Sequence, residues 1–397
     1  MKAMVLCAGK GTRLRPMTFD TPKPMIPLID KPVLEHIFDH LVGQGIDEVA
    51  VNLSYRPEDI HNYFRSGDNH GLRIFYSYEG EMLNGVFGGS AIGSAGGMKK
   101  IQNESGFFDD TFLVLCGDAA INLDIQSVVK QHKERGAIAT VVLKTVEENE
   151  VEKYGVVALS NEGRIEQFQE KPTPAKAIST TANTGIYIFE PEIFNYIPDN
   201  VEYDLGGDLF PKLAEESERL FGAVAEFDWI DIGNVHDYRQ ATHFLLSNPP
   251  QGIAIPGIEV QPGIHLGPNV NIDLDNAKIE GPVYIGGGSV IEPHVRIIGP
   301  TVIGQNAHIG EHAIIHQSIL GDHTKIFRNT LLTRAIVYGG FLINERGDSE
   351  PLPSGGAIGD ARACTEYRPV QDWAVANLEL VDRMIISEMT VDHKQTA

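Results

Sequence analysis

Cysteine is scarce in this sequence. Its three copies, Cys7, Cys116 and Cys364, stand far apart and form no CxxC pair, which argues against a disulfide framework or a zinc knuckle and suits a reducing cytosol. Basic charge is also short: 32 Lys and Arg face 54 Asp and Glu, for a net charge of -22. A field of that sign repels a phosphate backbone, so no nucleic-acid partner is expected. Small anions still bind wherever local cations outweigh the distant field. Long apolar runs are missing as well. Nothing approaches the ~20 uncharged residues of a membrane span, and the opening Met4-Val5-Leu6 is too short for a secretory signal. The expectation is a soluble, cytoplasmic protein with no membrane partner.

What is present is enough chain for more than one core: 397 residues with 42% hydrophobic content imply two or more domains. From residue 2 to 245, short β-rich runs alternate with amphipathic stretches, the pattern of a mostly parallel sheet wrapped by helices. Lys2 to Cys7 reads as the first strand. Pro32 opens a helix whose Leu34, Ile37, Phe38 and Leu41 share one face, and Gly43 and Gly45 end it. Glu48 to Asn52, Leu72 to Tyr78 and the apolar run Thr111 to Cys116 are further strands, and Pro57 begins a short helix. The breaker-rich segment Ser247-Asn248-Pro249-Pro250-Gln251-Gly252 bounds a first domain, 1–247.

Beyond it the period changes. Ile279, Ile285, Ile291, Ile297, Ile303, Ile309 and Ile315 recur every six residues, and Leu320, Ile326 and Leu332 resume the period after a one-residue slip. Six residues suit a triangular coil in which each short side contributes one inward aliphatic side chain. Runs such as Ile285-Gly286-Gly287-Gly288-Ser289-Val290 resemble hexapeptide-repeat proteins, which implies a left-handed parallel β-helix over 253–340. His294 and His312 stand one full turn apart, so they should stack on adjacent coils at the ~4.8 Å strand spacing, at outward corners. The remainder, 341–397, reads as a tail in which Trp373, Ala376, Leu380 and Met384 share one face of a docking helix.

The chemistry-bearing letters follow the first strand: Ala8-Gly9-Lys10-Gly11-Thr12-Arg13-Leu14-Arg15-Pro16, then Pro22-Lys23-Pro24-Met25. Small residues let backbone N–H groups approach phosphate oxygens, and four cations gather in a short span. A dinucleotide fingerprint fails because Leu14 stands where a third glycine is needed, and the GxxxxGK[ST] loop is absent. Taken alone, the segment is equally an ordinary glycine-rich turn with surface basic residues.

Leu6 to Pro16 with Pro22-Lys23-Pro24 resembles the signature of sugar-1-phosphate nucleotidyltransferases. The likeness continues, in order, through Gly93-Ser94-Ala95-Gly96-Gly97, Gly117-Asp118, Tyr154-Gly155-Val156, Glu170-Lys171-Pro172, Asn183-Thr184-Gly185 and Trp229-Ile230-Asp231-Ile232-Gly233. It implies an α/β fold, with a Rossmann-like mixed sheet carrying the catalytic domain and the β-helix appended. It also implies a division of labour. Arg13 and Lys23 are catalytic, Ala8, Gly9, Gly11, Thr12, Gly93 and Gly96 bind nucleotide, and Gly155, Glu170, Lys171 and Asn183 hold the sugar phosphate. Asp118 and Asp231 ligate Mg²⁺. Without the resemblance, Asp118 could be a loop cap and Asp231 a turn carboxylate.

Two departures stand out. Ala8-Gly9 replaces a glycine pair, and Ser94-Ala95-Gly96-Gly97 replaces Thr-Ala-Gly-Ala, while Glu79 to Ile92 carries an extra glycine-rich stretch. The implied reaction is in-line attack by a sugar 1-phosphate oxygen on the α-phosphorus of a nucleoside triphosphate, with pyrophosphate leaving. Overall likeness ranks GTP with mannose 1-phosphate ahead of UTP with glucose 1-phosphate. Two other classes remain: a hexapeptide acyltransferase using a prism histidine, and a non-catalytic sugar-nucleotide sensor. Retention of Arg13, Lys23, Asp118, Lys171 and Asp231 speaks for catalysis. The flat faces of the prism suggest a homo-oligomer.

Overall fold

The apolar run at Phe112–Cys116 lies inside a nine-stranded mixed sheet, hydrogen-bonded in parallel to Lys2–Leu6. The computed structural model describes residues 1–83, 86–216, 219–352 and 357–358. Strand Lys2–Leu6 pairs on its other side with Glu48–Leu53, which pairs with Arg73–Tyr78, all parallel. Beyond Phe112–Cys116 the sheet turns antiparallel through Thr181–Phe189, which borders Gly155–Leu159 and Ala139–Thr145. Ile165–Glu170 and Leu220–Val224 complete it. Met4, Val49, Val51, Phe112 and Val114 are fully buried, which is why these strands read as continuous apolar runs rather than alternating ones.

Helix α1 (Val33–Gly43) buries Leu34, Ile37, Phe38 and Leu41, the face expected from their spacing, with Pro32 as the residue before its first turn. Helices α2 (Pro57–Phe64), α3 (Ser94–Ser105), α4 (Ile125–Glu134) and α5 (Phe210–Glu215) follow. Asp124 caps α4 by accepting from the Ser127 N–H at 3.1 Å, worth ~1 kcal/mol. The core includes Phe108, Phe112, Phe189, Phe194 and Phe210. Phe112 and Phe194 stack at 5.7 Å, each such pair adding ~1 kcal/mol beyond area burial. These elements make one compact unit, residues 1–27, 31–234 and 250–252.

The second unit comprises 28–30, 235–249 and the chain from 253. Three sheets form a triangular β-helix. One carries Val283–Ile285, Thr301–Ile303, Ile319–Leu320 and Ile336–Tyr338, a second Val290–Ile291, His308–Ile309 and Lys325–Ile326, and a third Arg296–Ile298, Ile314–His316 and Leu331–Thr333, paired in parallel within each sheet. Ile285, Ile297, Ile303, Ile309, Ile315, Leu320, Ile326 and Leu332 all point into the prism core, and Ile279 closes one end half-buried. Each buried aliphatic contributes ~1.5–3 kcal/mol. The slip is real. Ile285 pairs with Ile303, 18 residues on, but Ile303 pairs with Leu320, 17 residues on.

Helix α6 (Val235–Ser247), inside the range read as the first domain, clusters with this second unit, where the Arg239 guanidinium donates to the Asn344 carbonyl at 3.0 Å. Residues 28–30 also belong to it, and the Tyr284 hydroxyl donates to Asp30 at 3.1 Å. His294 and His312 take left-handed corner conformations (φ 62° and 60°), their rings stacked at 4.9 Å. Past residue 340 the chain continues as strands. Phe341–Ile343 turns antiparallel on Ile336–Tyr338, and Ala357–Ile358 extends the second sheet. The helix expected through Trp373, Ala376, Leu380 and Met384 lies outside the described residues. Among the described residues no helix is long and apolar enough to cross a membrane.

Candidate active site

Strand Lys2–Leu6 has its sequence successor, Glu48–Leu53, on one side and Phe112–Cys116 on the other. The direction of winding reverses there, and open α/β sheets place ligands at the carboxyl ends of strands at such a reversal. A cavity of about 300 Å³ opens at this point, lined by Ala8, Gly9, Gly11, Lys23, Gly93 and Asp118 among others. Residues proposed from distant parts of the sequence therefore share one space.

Each is held by local structure. Gly11 has φ +61°, and its carbonyl accepts the Thr18 hydroxyl at 2.8 Å. A Cβ there would sit 2.9 Å from Lys23 Cβ, so glycine lets the loop close on the lysine. Lys23, in a single 3₁₀ turn, reaches Asp118 with its ammonium. Burial opposes that ammonium, yet attraction to Asp118 and then Asp231 outweighs it, and its pKa rises despite repulsion from Arg13. Those four charges are thus electrostatic neighbours. Arg13 and Thr12 are exposed at the loop, and Arg15 lies over the Phe19 ring at 5.4 Å.

Asp118 and Asp231 are brought together by a small ladder that sequence spacing could not reveal. Trp229–Asp231 pairs antiparallel with Ala119–Ile121, putting Asp231 opposite Ala119, and the Ile232 N–H donates to the Asp118 carbonyl at 3.3 Å. Two hard carboxylates, Asp118 in the turn that leads into Ala119–Ile121 and Asp231 at the end of the strand paired with it, fit Mg²⁺, which is commonly held by one or two carboxylates with phosphate oxygens and water completing the shell. Among the described residues no three His, Cys, Asp or Glu side chains are grouped to hold a metal, so the remaining ligands would come from substrate and solvent. Burial raises the Cys116 thiol pKa, and Asp118, Asp231 and Asp204 push it further. The Lys23 ammonium opposes that push, and the Asp204 carboxylate is taken up by the Ser94 hydroxyl and the Gly206 and Gly207 N–H groups, which leaves Asp118 and Asp231 as the pair available to a cation.

A second cluster gathers the sugar-phosphate candidates. Gly155 pairs with Glu170, a Cβ on Gly155 would lie 2.9 Å from Glu170 Oε2, and Lys171 donates to Glu170 Oε1 at 2.7 Å. Asn183 accepts the Gly185 N–H at 3.0 Å and donates to Tyr187 at 3.0 Å. Gly185 abuts the Cys116 sulfur, and Cys116 lines the cavity, which connects Asn183 to its edge.

Gly93 to Gly97 is not a free loop. Gly93 precedes α3, and Ser94 to Gly97 form its first turn. Gly93 (φ +80°) faces the Tyr203 carbonyl at 2.3 Å from where a Cβ would stand, while Gly96 packs toward Val201 and Tyr203. Sequence reasoning missed Asn52, Glu79 and Cys116 as lining residues. The available signal was a polar Asn52 near the carboxyl end of a strand that is apolar at all its other positions after Glu48.

The nucleotidyl transferase family matches the chain over residues 2–248. A UTP–glucose-1-phosphate uridylyltransferase of Synechocystis sp. is 48% identical over 372 residues, covering 93% of this chain and 96% of that protein. A probable mannose-1-phosphate guanylyltransferase 2 of Oryza sativa subsp. japonica is 33% identical, covering 82% and 87%. Among solved structures, one from Bacillus anthracis, named for glucose-1-phosphate thymidylyl transfer, has a TM-score of 0.54 at 23% identity, covering 64% of this chain and 97% of that one. At that identity it speaks for the fold alone.

Proposed function

We infer that this chain, which belongs to the nucleotidyl transferase family and is a sugar-1-phosphate nucleotidyltransferase, converts UTP and glucose 1-phosphate to UDP-glucose and pyrophosphate. One observation carries the choice of substrates: 48% identity across nearly the whole of the Synechocystis uridylyltransferase, against 33% to the rice guanylyltransferase. The ranking expected from sequence, with GTP and mannose 1-phosphate first, is reversed.

The reaction needs alignment and charge neutralisation more than proton transfer, because the attacking phosphate is already an anion. A glucose 1-phosphate oxygen forms a bond to the α-phosphorus as the bond to the β-phosphate oxygen breaks, and pyrophosphate leaves opposite the attack. Backbone N–H groups of Ala8 to Gly11 cradle the triphosphate. Lys23, kept cationic by its two carboxylate neighbours, and the exposed Arg13 offset charge that builds on the equatorial oxygens. Asp118 and Asp231 hold Mg²⁺, which when bound supplies a positive centre for the phosphates. Glu170 accepts sugar hydroxyls, Lys171 pairs with the sugar phosphate, and Gly155 and Asn183 shape the space beside them. Gly93 and Gly96 set the wall at the nucleoside side. The prism, whose successive coils stack in parallel on three sheets, serves assembly of a homo-oligomer, which light scattering would measure.

The test is pyrophosphate release with Mg²⁺, crossing GTP, UTP, dTTP, ATP and CTP against mannose, glucose, galactose and N-acetylglucosamine 1-phosphates. UTP with glucose 1-phosphate should dominate. Dominance of GTP with mannose 1-phosphate would restore the first ranking, and silence from folded protein would point to a sensor.

A further inference from the structure

Among the residues that line the cavity is a buried carboxylate that the transfer reaction, as derived above, does not use. Glu79 is 1% exposed. One oxygen accepts from the Asn52 side-chain amide at 2.8 Å and the other from the Ile92 N–H at 3.1 Å. Asn52, itself 2% exposed, turns its carbonyl oxygen to the Cys7 N–H at 2.8 Å. Cys7 is the residue that leads from the first strand into Ala8 and Gly9, and Ala91 and Gly93, which flank Ile92, line the cavity as well. Burial raises its pKa above the usual carboxylate value, and the bonds from Asn52 and Ile92 with the Lys100 charge hold that rise in check.

A buried carboxylate–amide pair is costlier than an apolar pair of the same shape, and fixing one geometry against others is a recognised use for such polar pairs. Here the gain is directional. An amide can flip, and only the orientation with Nδ2 toward Glu79 leaves Oδ1 facing Cys7. Gly97 supplies an independent mark: a Cβ there would lie 2.4 Å from Glu79 Oε1. The Gly97 that departs from the Thr-Ala-Gly-Ala pattern is thus the residue that leaves room for this carboxylate.

We propose that Glu79 is a positioning residue for nucleotidyl transfer, which fixes the entry of the Ala8 to Gly11 loop through Asn52 and the Ala91–Gly93 lining segment through the Ile92 N–H. The proposal rests on the reaction class inferred above but not on the choice of base or sugar. It makes a polarity prediction. Glu79→Gln leaves one donor facing another, and Asn52→Asp sets two carboxylates face to face. The double variant restores every pairing. The carboxylate introduced at position 52 accepts from the Cys7 N–H and from the amide introduced at position 79, whose oxygen accepts from the Ile92 N–H.

The experiment measures kcat and KM for each single variant and for the double, with the substrate pair that wild type turns over fastest. Amide exchange over residues 7–11 and thermal melting are followed alongside. Each single variant should raise the triphosphate KM by about tenfold, the size of one lost buried hydrogen bond, and speed exchange over 7–11. The double variant should return both to within about threefold of wild type. Gly97→Ala should resemble Glu79→Gln. Singles that leave KM and exchange unchanged, or a double whose losses add, would overturn the proposal. If wild type were silent with every substrate pair, the function inferred above would fail, and the exchange data would still decide the role of Glu79.

Discussion

The two units of this chain solve opposite problems. The prism repeats one interaction: an inward aliphatic on each side of each coil, with corners turned by residues such as Asn306, His294 and His312 at positive φ. The first unit gathers unlike pieces at one sheet reversal: a glycine-closed loop, a 3₁₀ lysine, two carboxylates at the end of a short ladder and a buried Glu79–Asn52 pair. Repetition spreads stability over many equal contacts, whereas convergence concentrates function in a few unequal ones. A single substitution should therefore cost activity in one unit and stability in the other.

The sharpest break of that contrast would come at Asp118. Asp118→Asn, which keeps the side chain's shape and an acceptor for the Lys23 ammonium, should lower kcat by about 10³-fold or more while leaving the melting temperature near wild type, since the residue is partly exposed. Its reciprocal is Ile297→Ala, at a fully buried prism position. That change should cost about 3 kcal/mol in chemical denaturation and leave KM unchanged. Full activity in the first variant, or lost activity without lost stability in the second, would dissolve the distinction. Gly11→Ala lies between them. The strain at φ +61° and the push on Lys23 should reduce kcat/KM about tenfold, for a stability loss of about 1–2 kcal/mol.

What could be read from the letters follows the same division. The prism was legible because its period is local: Ile285 to Ile315 announce their shared direction by spacing alone, and even the slip before Leu320 is visible. Helix α1 and the strands at Lys2, Glu48 and Phe112 were legible for the same reason. The site was legible only as resemblance, because its geometry is long-range. Nothing in the spacing shows Asp231 beside Asp118, or Asn52 beside Glu79 across 27 residues. Both depend on which strands pair. Residues 28–30 and α6 likewise joined the second unit through tertiary contacts with no local signature.

Acid should test the prism unit more gently. Burial, reinforced by Arg239, depresses His243 from 6.5 to about 4. The folded state thus holds it neutral where the unfolded chain would protonate. Its contribution is present above about pH 6.5 and is lost as pH falls toward 4. Melting temperature should decline over that window, and His243→Gln should flatten the slope by a fraction of a proton. His316, also depressed by burial and by Arg334 and Arg296, would retain the remainder. An unchanged slope would place the acid sensitivity elsewhere, with His132 of the first unit, buried and depressed as well, the next to test.

The smallest effect belongs to the stacked pair His294 and His312, and it bears on whether the prism does chemistry of its own. Both occupy left-handed corners, a conformation that asparagine also tolerates. The double change His294→Asn, His312→Asn should therefore keep the backbone and alter stability by no more than about 0.5 kcal/mol. If the rings are only corner residues, pyrophosphate release and acyl-CoA consumption will both match wild type. If wild type consumes acyl-CoA and the double variant does not, the prism is a second active site, and repetition would then carry function as well as stability.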